Sequence, residues 1–304
     1  MRLVTFRKGK ANHIGAILGN SVADIVAASR AVGGPSLPAD MIALLEMGAK
    51  GMRAAKAAAR FAARNPKRGL LVPLSLVRLE APVPCPPKLL ALAGNYSSHL
   101  REEGRNARAK REQTPRVFMK PPSTTVNRPG GEIVITRHSH WVDWEVELGI
   151  VIGTRARYVT KKAALGHVAG YCMVNDVSER EFQIERGPTW DKGKGFDTFG
   201  PVGPWLVTPD EVGNPQKLAM WLDVNGEKRQ RGSTKTMIFD CATLISYVSM
   251  LFTLNPGDII TTGTPPGVGM GMKPKQQFLR HGDVVTMGIE KLGEARQKVV
   301  RFKA

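Results

Sequence analysis

The stretch Val142-Asp143-Trp144-Glu145-Val146-Glu147-Leu148-Gly149-Ile150-Val151-Ile152-Gly153 decides how this chain is read. It is apolar, rich in β-branched residues and closed by glycine, which is the composition of a strand. Side chains at i and i+2 of a strand share a face, so Glu145 and Glu147 are predicted to point the same way, about 7 Å apart along the chain. Neighbouring carboxylates repel unless a cation lies between them, and a charge inside an apolar strand is costly without a partner. Two readings stay open on these residues alone. The pair holds a hard divalent cation, or it lies on the solvated face of an edge strand.

Working outward, Leu3–Phe6, His13–Leu18 and Ser21–Ile25 read as short strands, with Gly19-Asn20 as a tight turn. Residues 39–65 are rich in Ala, Leu, Met, Lys and Arg and favour helix, interrupted at Gly48 and Gly51. Ala81-Pro82-Val83-Pro84-Cys85-Pro86-Pro87 can continue neither a helix nor a central strand. A small N-terminal domain, residues 1–78, and a main domain, residues 79–304, are expected on either side. Further strands are predicted at 116–120, 132–136, 168–174, 221–225 and 284–289. A helix is predicted over 236–252, and another from Ser178, where Glu181 would complete a capping box. The sum is a β-rich α+β protein rather than a doubly wound βαβ sheet.

The bulk numbers exclude several classes. With 304 residues, 42% hydrophobic and 23% charged, the chain has globular composition. It contains no run of apolar residues long enough to span a membrane. The opening residues have no apolar core long enough for a signal peptide, and Cys85, Cys172 and Cys241 match neither a zinc pattern nor a disulfide framework, so a cytoplasmic setting is expected. The net charge of +18 fits attraction of a small anion or a merely solubilising surface. Its basic residues are dispersed, aromatic content is 6%, and no nucleic-acid-binding motif is present, so no nucleic-acid partner is expected.

Asp176, in Val174-Asn175-Asp176-Val177-Ser178-Glu179-Arg180, reads alone as a turn or a helix cap. Taken together, the motifs are more specific. Asp-aromatic-Glu-Val-Glu-Leu is followed by Gly170-Tyr171-x-x-x-Asn175-Asp176-Val177-Ser178 and then by Lys194-Gly195-Phe196-Asp197-Thr198-Phe199-Gly200-Pro201. Asn225-Gly226-Glu227, Gln230, Asn255-Pro256-Gly257-Asp258, Thr262-Gly263-Thr264-Pro265-Pro266-Gly267 and His281-Gly282-Asp283 come after, in that order. From about Pro82 onward this resembles the fumarylacetoacetate hydrolase superfamily, notably its acylpyruvase and 2-hydroxyhepta-2,4-diene-1,7-dioate isomerase-like members.

The resemblance implies a mixed β-roll catalytic domain in a homodimer, with Mg2+ or Mn2+ (Ca2+ in some relatives) held by Glu145, Glu147 and Asp176. The chemistry of the residues agrees. Three oxygen ligands suit a hard cation and leave positions open, and no His/Cys cluster competes for a softer metal. The resemblance further implies that the cation chelates a small anionic 2-oxo acid and stabilises the enolate released when a carbon–carbon bond breaks. His99 and Glu102, one helical turn apart, match a lid-borne dyad that deprotonates water. On residues alone they are a histidine near a glutamate, and the basic stretch 105–116 is either a lid or a solvated loop. Lys194, between two glycines, becomes by the resemblance a cation near the metal. Arg180, Gln183 and Thr264 become substrate contacts, and Lys120 is read as structural, with anion contact as the alternative. One departure is Asn95, where the hydrolase that names the family has an additional aspartate ligand nearby.

The function expected is metal-dependent hydrolysis of a C–C bond in acylpyruvate-type 2,4-dioxo acids (fumarylpyruvate- or acylpyruvate-like), in catabolism of aromatic or organic acids. The alternatives are an isomerase or tautomerase of 2-hydroxymuconate-like acids, a decarboxylase of oxaloacetate-like acids, and a catalytically inactive basic binding protein.

Overall fold

The structure is a computed structural model that describes residues 1–97, 114–138, 140–187 and 189–303. His99, Glu102 and most of the 105–116 stretch lie outside the described residues. Three antiparallel strands, β1 (Arg2–Lys8), β2 (Ala11–Leu18) and β3 (Ser21–Asp24), open the chain. Helices α1 (Ile25–Ala31), α2 (Met41–Glu46) and α3 (Gly48–Arg64) follow. Ile25 starts α1 instead of ending a strand, because Asp24 caps that helix by accepting from Ala27 N at 3.0 Å. The helix break falls at Gly48, with φ +56°, and not at Gly51. Gly51 lies inside α3, where a Cβ would meet Met47 Cβ at 2.5 Å and Leu44 O at 2.8 Å. Its lack of a side chain lets α2 and α3 approach each other.

β1 pairs antiparallel with the strand Gly200–Val207 and carries the N-terminal strands into a twelve-stranded sheet. Beyond Gly200–Val207 the sheet continues through Val168–Asn175, Val146–Ile152, Ile259–Thr261, Leu89–Ala93 and Arg116–Lys120. A second, five-stranded sheet runs Glu227–Ser233, Ala219–Val224, Val284–Ile289, Gly293–Arg301 and Glu132–Ile135. Antiparallel pairs dominate, but Ile259–Thr261 with Leu89–Ala93 and Gly293–Arg301 with Glu132–Ile135 run parallel. The architecture is a mixed-sheet α+β fold, as expected.

The Val146–Ile152 strand is central and buried along its whole length. Val146, Leu148, Ile150 and Ile152 face a core shared with Met220, Leu222, Leu244 and Val285. Val151 on the opposite face joins Leu3, Ile14, Leu44 and Ala55 in the core beneath the N-terminal helices. Covering both faces explains why the strand reads as a nearly continuous apolar run. The predicted strand is nevertheless interrupted. Val142–Asp143 pairs instead with Ser178–Glu179, and Trp144 and Glu145 lie between the two segments. The predicted capping box at Ser178 is absent. Ser178 Oγ donates to Asp176 O at 2.9 Å, and the short helix Arg180–Ile184 starts after Glu179 without a side-chain cap.

Gly170 lies where the Val168–Asn175 and Gly200–Val207 strands meet, and a Cβ there would lie 2.4 Å from Val207 O. We predict that Gly170→Val lowers unfolding stability by roughly 3 kcal/mol in urea titration. Gly166→Ala, with nothing within 4 Å of the added carbon, is expected to change it by less than about 0.5 kcal/mol.

Candidate metal and substrate site

Strand register brings the acidic residues together. Val146 pairs with Asn175 and Glu147 with Val174, so Glu145 and Asp176 lie side by side one step further on. The backbone closes this corner, with Asp176 N donating to Glu145 O at 2.9 Å and Glu145 N donating to Asn175 Oδ1 at 3.1 Å. Glu145, Glu147 and Asp176 each present a carboxylate oxygen, and these oxygens all lie within 4.8 Å of one another. None of the three is more than 5% exposed. The solvated-edge alternative therefore fails, because the pair sits in the interior of the large sheet.

Charge is balanced locally. Lys194 Nζ donates to Glu145 Oε2 at 2.9 Å and to Asp176 Oδ2 at 2.7 Å. Lys120 Nζ donates to Asp176 Oδ1 at 2.6 Å and to Val177 O at 3.1 Å. Arg180 donates through Nη2 to Glu145 Oε1 at 2.6 Å, through Nε to Asp143 Oδ2 at 2.9 Å and through Nη1 to Gln183 Oε1 at 3.0 Å. Burial pulls the Lys194 ammonium down, but the Asp176 and Glu145 carboxylates outweigh it and raise the group above its ordinary value. For Lys120 burial dominates, and its value falls despite Asp176.

Glu147 is the exception in this network. Its Oε2 accepts from Gly263 N at 2.8 Å, while its Oε1 is buried without a hydrogen-bond partner among the described residues. Burial, and then the Asp176 and Glu145 charges, push its carboxyl well above the usual range. A buried orphan oxygen facing two further carboxylates suits a hard cation, and each carboxylate in the triad keeps lone pairs beyond those already used. The donor set therefore fits Mg2+ or Mn2+.

Above the triad lies a small cleft. Glu145, Glu147, Arg180, Gln183, Lys194 and Thr264 line its polar side. Thr264 reaches the cleft, but its hydroxyl donates to Val146 O at 2.9 Å and accepts from Gln230 Nε2 at 2.8 Å. Lys194 is 3% exposed, at the end of a short helix, Trp190–Lys194. That helix packs closely enough on Arg180–Ile184 that a Cβ on Gly193 would lie 2.5 Å from Glu179 O and from Gln183 Cβ. The glycine is there for packing and not for a solvent-facing turn.

Sequence reasoning passed over one group and left the role of another open. Asp143, fully buried, accepts from Trp144 N, Gly269 N and Met270 N at 2.8, 2.7 and 3.0 Å as well as from Arg180. It ties the 269–271 turn to the guanidinium that holds Glu145. Its place in the Asp-aromatic-Glu pattern was the available signal. Lys120, read as structural with anion contact as the alternative, is a fully buried counter-ion of Asp176. Asn95, by contrast, serves the backbone. It donates to Phe239 O and Thr262 O and accepts from Phe239 N.

A buried acidic triad in a large mixed sheet, under a small cleft, has the donor set to hold a metal ion. The model of the fumarylacetoacetate (FAA) hydrolase C-terminal domain matches residues 88–300, and the chain belongs to this family. It is 54% identical over 226 residues to a 2,4-didehydro-3-deoxy-L-rhamnonate hydrolase of Sphingomonas sp. (strain SKA58), an alignment covering 74% of this chain and 78% of that one. Among solved structures it resembles the fumarylacetoacetate hydrolase of Exiguobacterium antarcticum, with TM-score 0.78, 32% identity and coverage of 99% and 100% of the two chains. It also resembles the maleylpyruvate hydrolase of Sphingobium sp. SYK-6 in complex with manganese(II) and pyruvate, with TM-score 0.76, 29% identity and full coverage of both chains. No described helix is long and apolar enough to cross a membrane.

Removing one partner of a buried ion pair strands the other. Lys120→Met is therefore expected to lower stability by about 3 kcal/mol in denaturant titration. A loss below about 1 kcal/mol would show that Asp176 does not depend on it.

Proposed function

We propose that the chain is a divalent-metal-dependent hydrolase that cleaves the C3–C4 bond of 2,4-dioxo acids, releasing pyruvate and a carboxylic acid. The observation that carries this reading is the convergence of three buried carboxylates, one with an orphan oxygen, beneath a small cleft. Two relatives support it. One is named as a hydrolase of 2,4-didehydro-3-deoxy-L-rhamnonate, itself by name a 2,4-dioxo acid with a C3 methylene. The other is a hydrolase whose complex contains manganese(II) and pyruvate.

A cation held by Glu145, Glu147 and Asp176 supplies Lewis-acid polarisation of the 2-oxo carboxylate end and charge stabilisation at the transition state. The remaining chemistry belongs to side chains of the chain. Arg180, Gln183 and Thr264 orient the substrate. His99, held in its basic tautomer by Glu102, takes a proton from water, and the hydroxide adds to C4. Lys194, already between two ligand carboxylates, steadies the oxyanion formed there. Collapse breaks C3–C4, C4 leaves as the carboxylic acid, and C3 gains a proton to complete pyruvate.

The test is product analysis with 2,4-dioxopentanoate and each metal. Pyruvate and acetate in equal amounts are expected, dependent on Mg2+ or Mn2+. Glu147→Gln should weaken Mn2+ binding by about 100-fold in calorimetry and remove activity. His99→Ala should lower kcat by about 10²–10⁴ with Mn2+ affinity unchanged. Evolution of CO2 from oxaloacetate, with no pyruvate from any dioxo acid, would replace hydrolysis by decarboxylation. Full activity in Glu147→Gln would sink the metal mechanism.

A further inference from the structure

The face of the large sheet that carries Glu147 is otherwise apolar. On one edge of the central strand Val151 pairs with Ile259 and Gly149 with Thr261, and on the other edge Gly149 pairs with Cys172 and Glu147 with Val174. Residues paired across a ladder share a face, as do residues two apart along a strand. Val151, Ile259, Cys172 and Val174 accordingly all belong to the core beneath the N-terminal helices. Thr261 lies in the same row and is fully buried. Valine has nearly the same shape and would suit such a core, whereas a hydroxyl there is costly without a partner.

The nearby acid is the group that gives the hydroxyl a use. Glu147 stands two residues before Gly149, the partner of Thr261, so the two side chains are diagonal neighbours on one face. Gly149 and Gly263, the latter donating its N–H to Glu147 Oε2 at 2.8 Å, carry no side chain to separate them. Thr261 Oγ1 and Glu147 Oε1 are both buried, and among the described residues neither completes a hydrogen bond. The hydroxyl nevertheless acts on the acid. Burial, then the Asp176 and Glu145 charges, raise the Glu147 carboxyl, and Lys194 followed by the Thr261 hydroxyl oppose them.

The three acids of the triad are thus supported differently. Glu145 and Asp176 are held by the charged groups of Arg180, Lys194 and Lys120, which compete with a cation for the same oxygens. Gly263 N and the Thr261 hydroxyl are neutral donors, and partners of this kind fix the aim of a ligand without adding positive charge beside the ion.

On the reading that the triad takes a divalent cation, we propose that Thr261 is a positioning residue for Glu147. Its hydroxyl donates to the Glu147 carboxylate and, together with Gly263 N, holds that acid turned toward Glu145 and Asp176. Thr261 touches neither the ion nor the substrate and acts through Glu147 alone.

The test is calorimetric titration of Mn2+ into the wild-type protein, Thr261→Val, Thr261→Ser and Glu147→Gln, with thermal unfolding of each ion-free protein alongside. Thr261→Val should weaken Mn2+ binding about ten-fold. Its unfolding midpoint should be unchanged or higher, because an unpaired hydroxyl has left an apolar core. Thr261→Ser restores the donor and should bind within about three-fold of wild type. A loss below about three-fold in Thr261→Val overturns the proposal. So does a Thr261→Ser protein as weak as Thr261→Val, and so does a lowered unfolding midpoint in Thr261→Val, which would assign the hydroxyl to the scaffold. If Glu147→Gln loses affinity and Thr261→Val does not, the metal reading stands and the positioning role alone fails. If the folded wild-type protein takes up no Mn2+, the metal reading fails and the positioning role falls with it.

Discussion

The structure is organised around one demand, that the carboxylates of Asp143, Glu145, Glu147 and Asp176 and the cations of Lys120, Arg180 and Lys194 share a volume from which water is almost excluded. Such a cluster is tolerable only if every charge meets an opposite charge or a donor at close range. Lys194 is central to meeting that demand. Its single ammonium spans Glu145 and Asp176, which lie just beyond the ends of two paired strands. Arg180 performs the same task between Asp143 and Glu145. Neither bridge would close if the Val146–Ile152 and Val168–Asn175 strands slipped by one residue, because every side chain would then change face.

Much of the surrounding fold keeps that register. The central strand is clamped by partners on both edges and by two separate apolar cores, one on each face. Gln230 reaches across from the second sheet, accepting from Val146 N and donating to Thr264 and Pro265. This side-chain link compensates for the interruption of the strand at Trp144–Glu145, where regular pairing is lost. Trp144 fills the space behind the break and anchors itself by donating to Gly267 O. The interruption lets Glu145 approach Asp176 rather than continue along the ladder.

The glutamate pair was legible from period-two patterning, whereas Asp176 joined it only through the ordered motifs and the resemblance they carry. The central strands were legible for a similar reason, since buried β-branched runs are strong signals. Other parts were harder to read. Gly200–Val207 is a strand whose prolines and glycines resemble a loop, and its place between two partners comes from tertiary packing. Gly293–Arg301 buries only Ala295, Gln297 and Val299 in alternation, and its charged outer face obscured the pattern. Ser178 and Glu181 had the spacing of a cap, but the ladder with Val142–Asp143 claimed Ser178 first. Asp143 looked like a strand residue, and two of its four hydrogen bonds come from a turn more than a hundred positions away. For His99 and Glu102 the sequence remains the whole of the argument.

The lysine bridges carry a further consequence. In small zinc modules, ligand repulsion is relieved only by the metal, and removing the ion unravels the chain. Here ammonium groups of the protein already neutralise two of the three acids, and two thick apolar cores stabilise the scaffold independently of the site. Assembly of the polypeptide is therefore separable from the binding of any ion the triad takes, and a freshly made chain would not need that ion to reach its final shape.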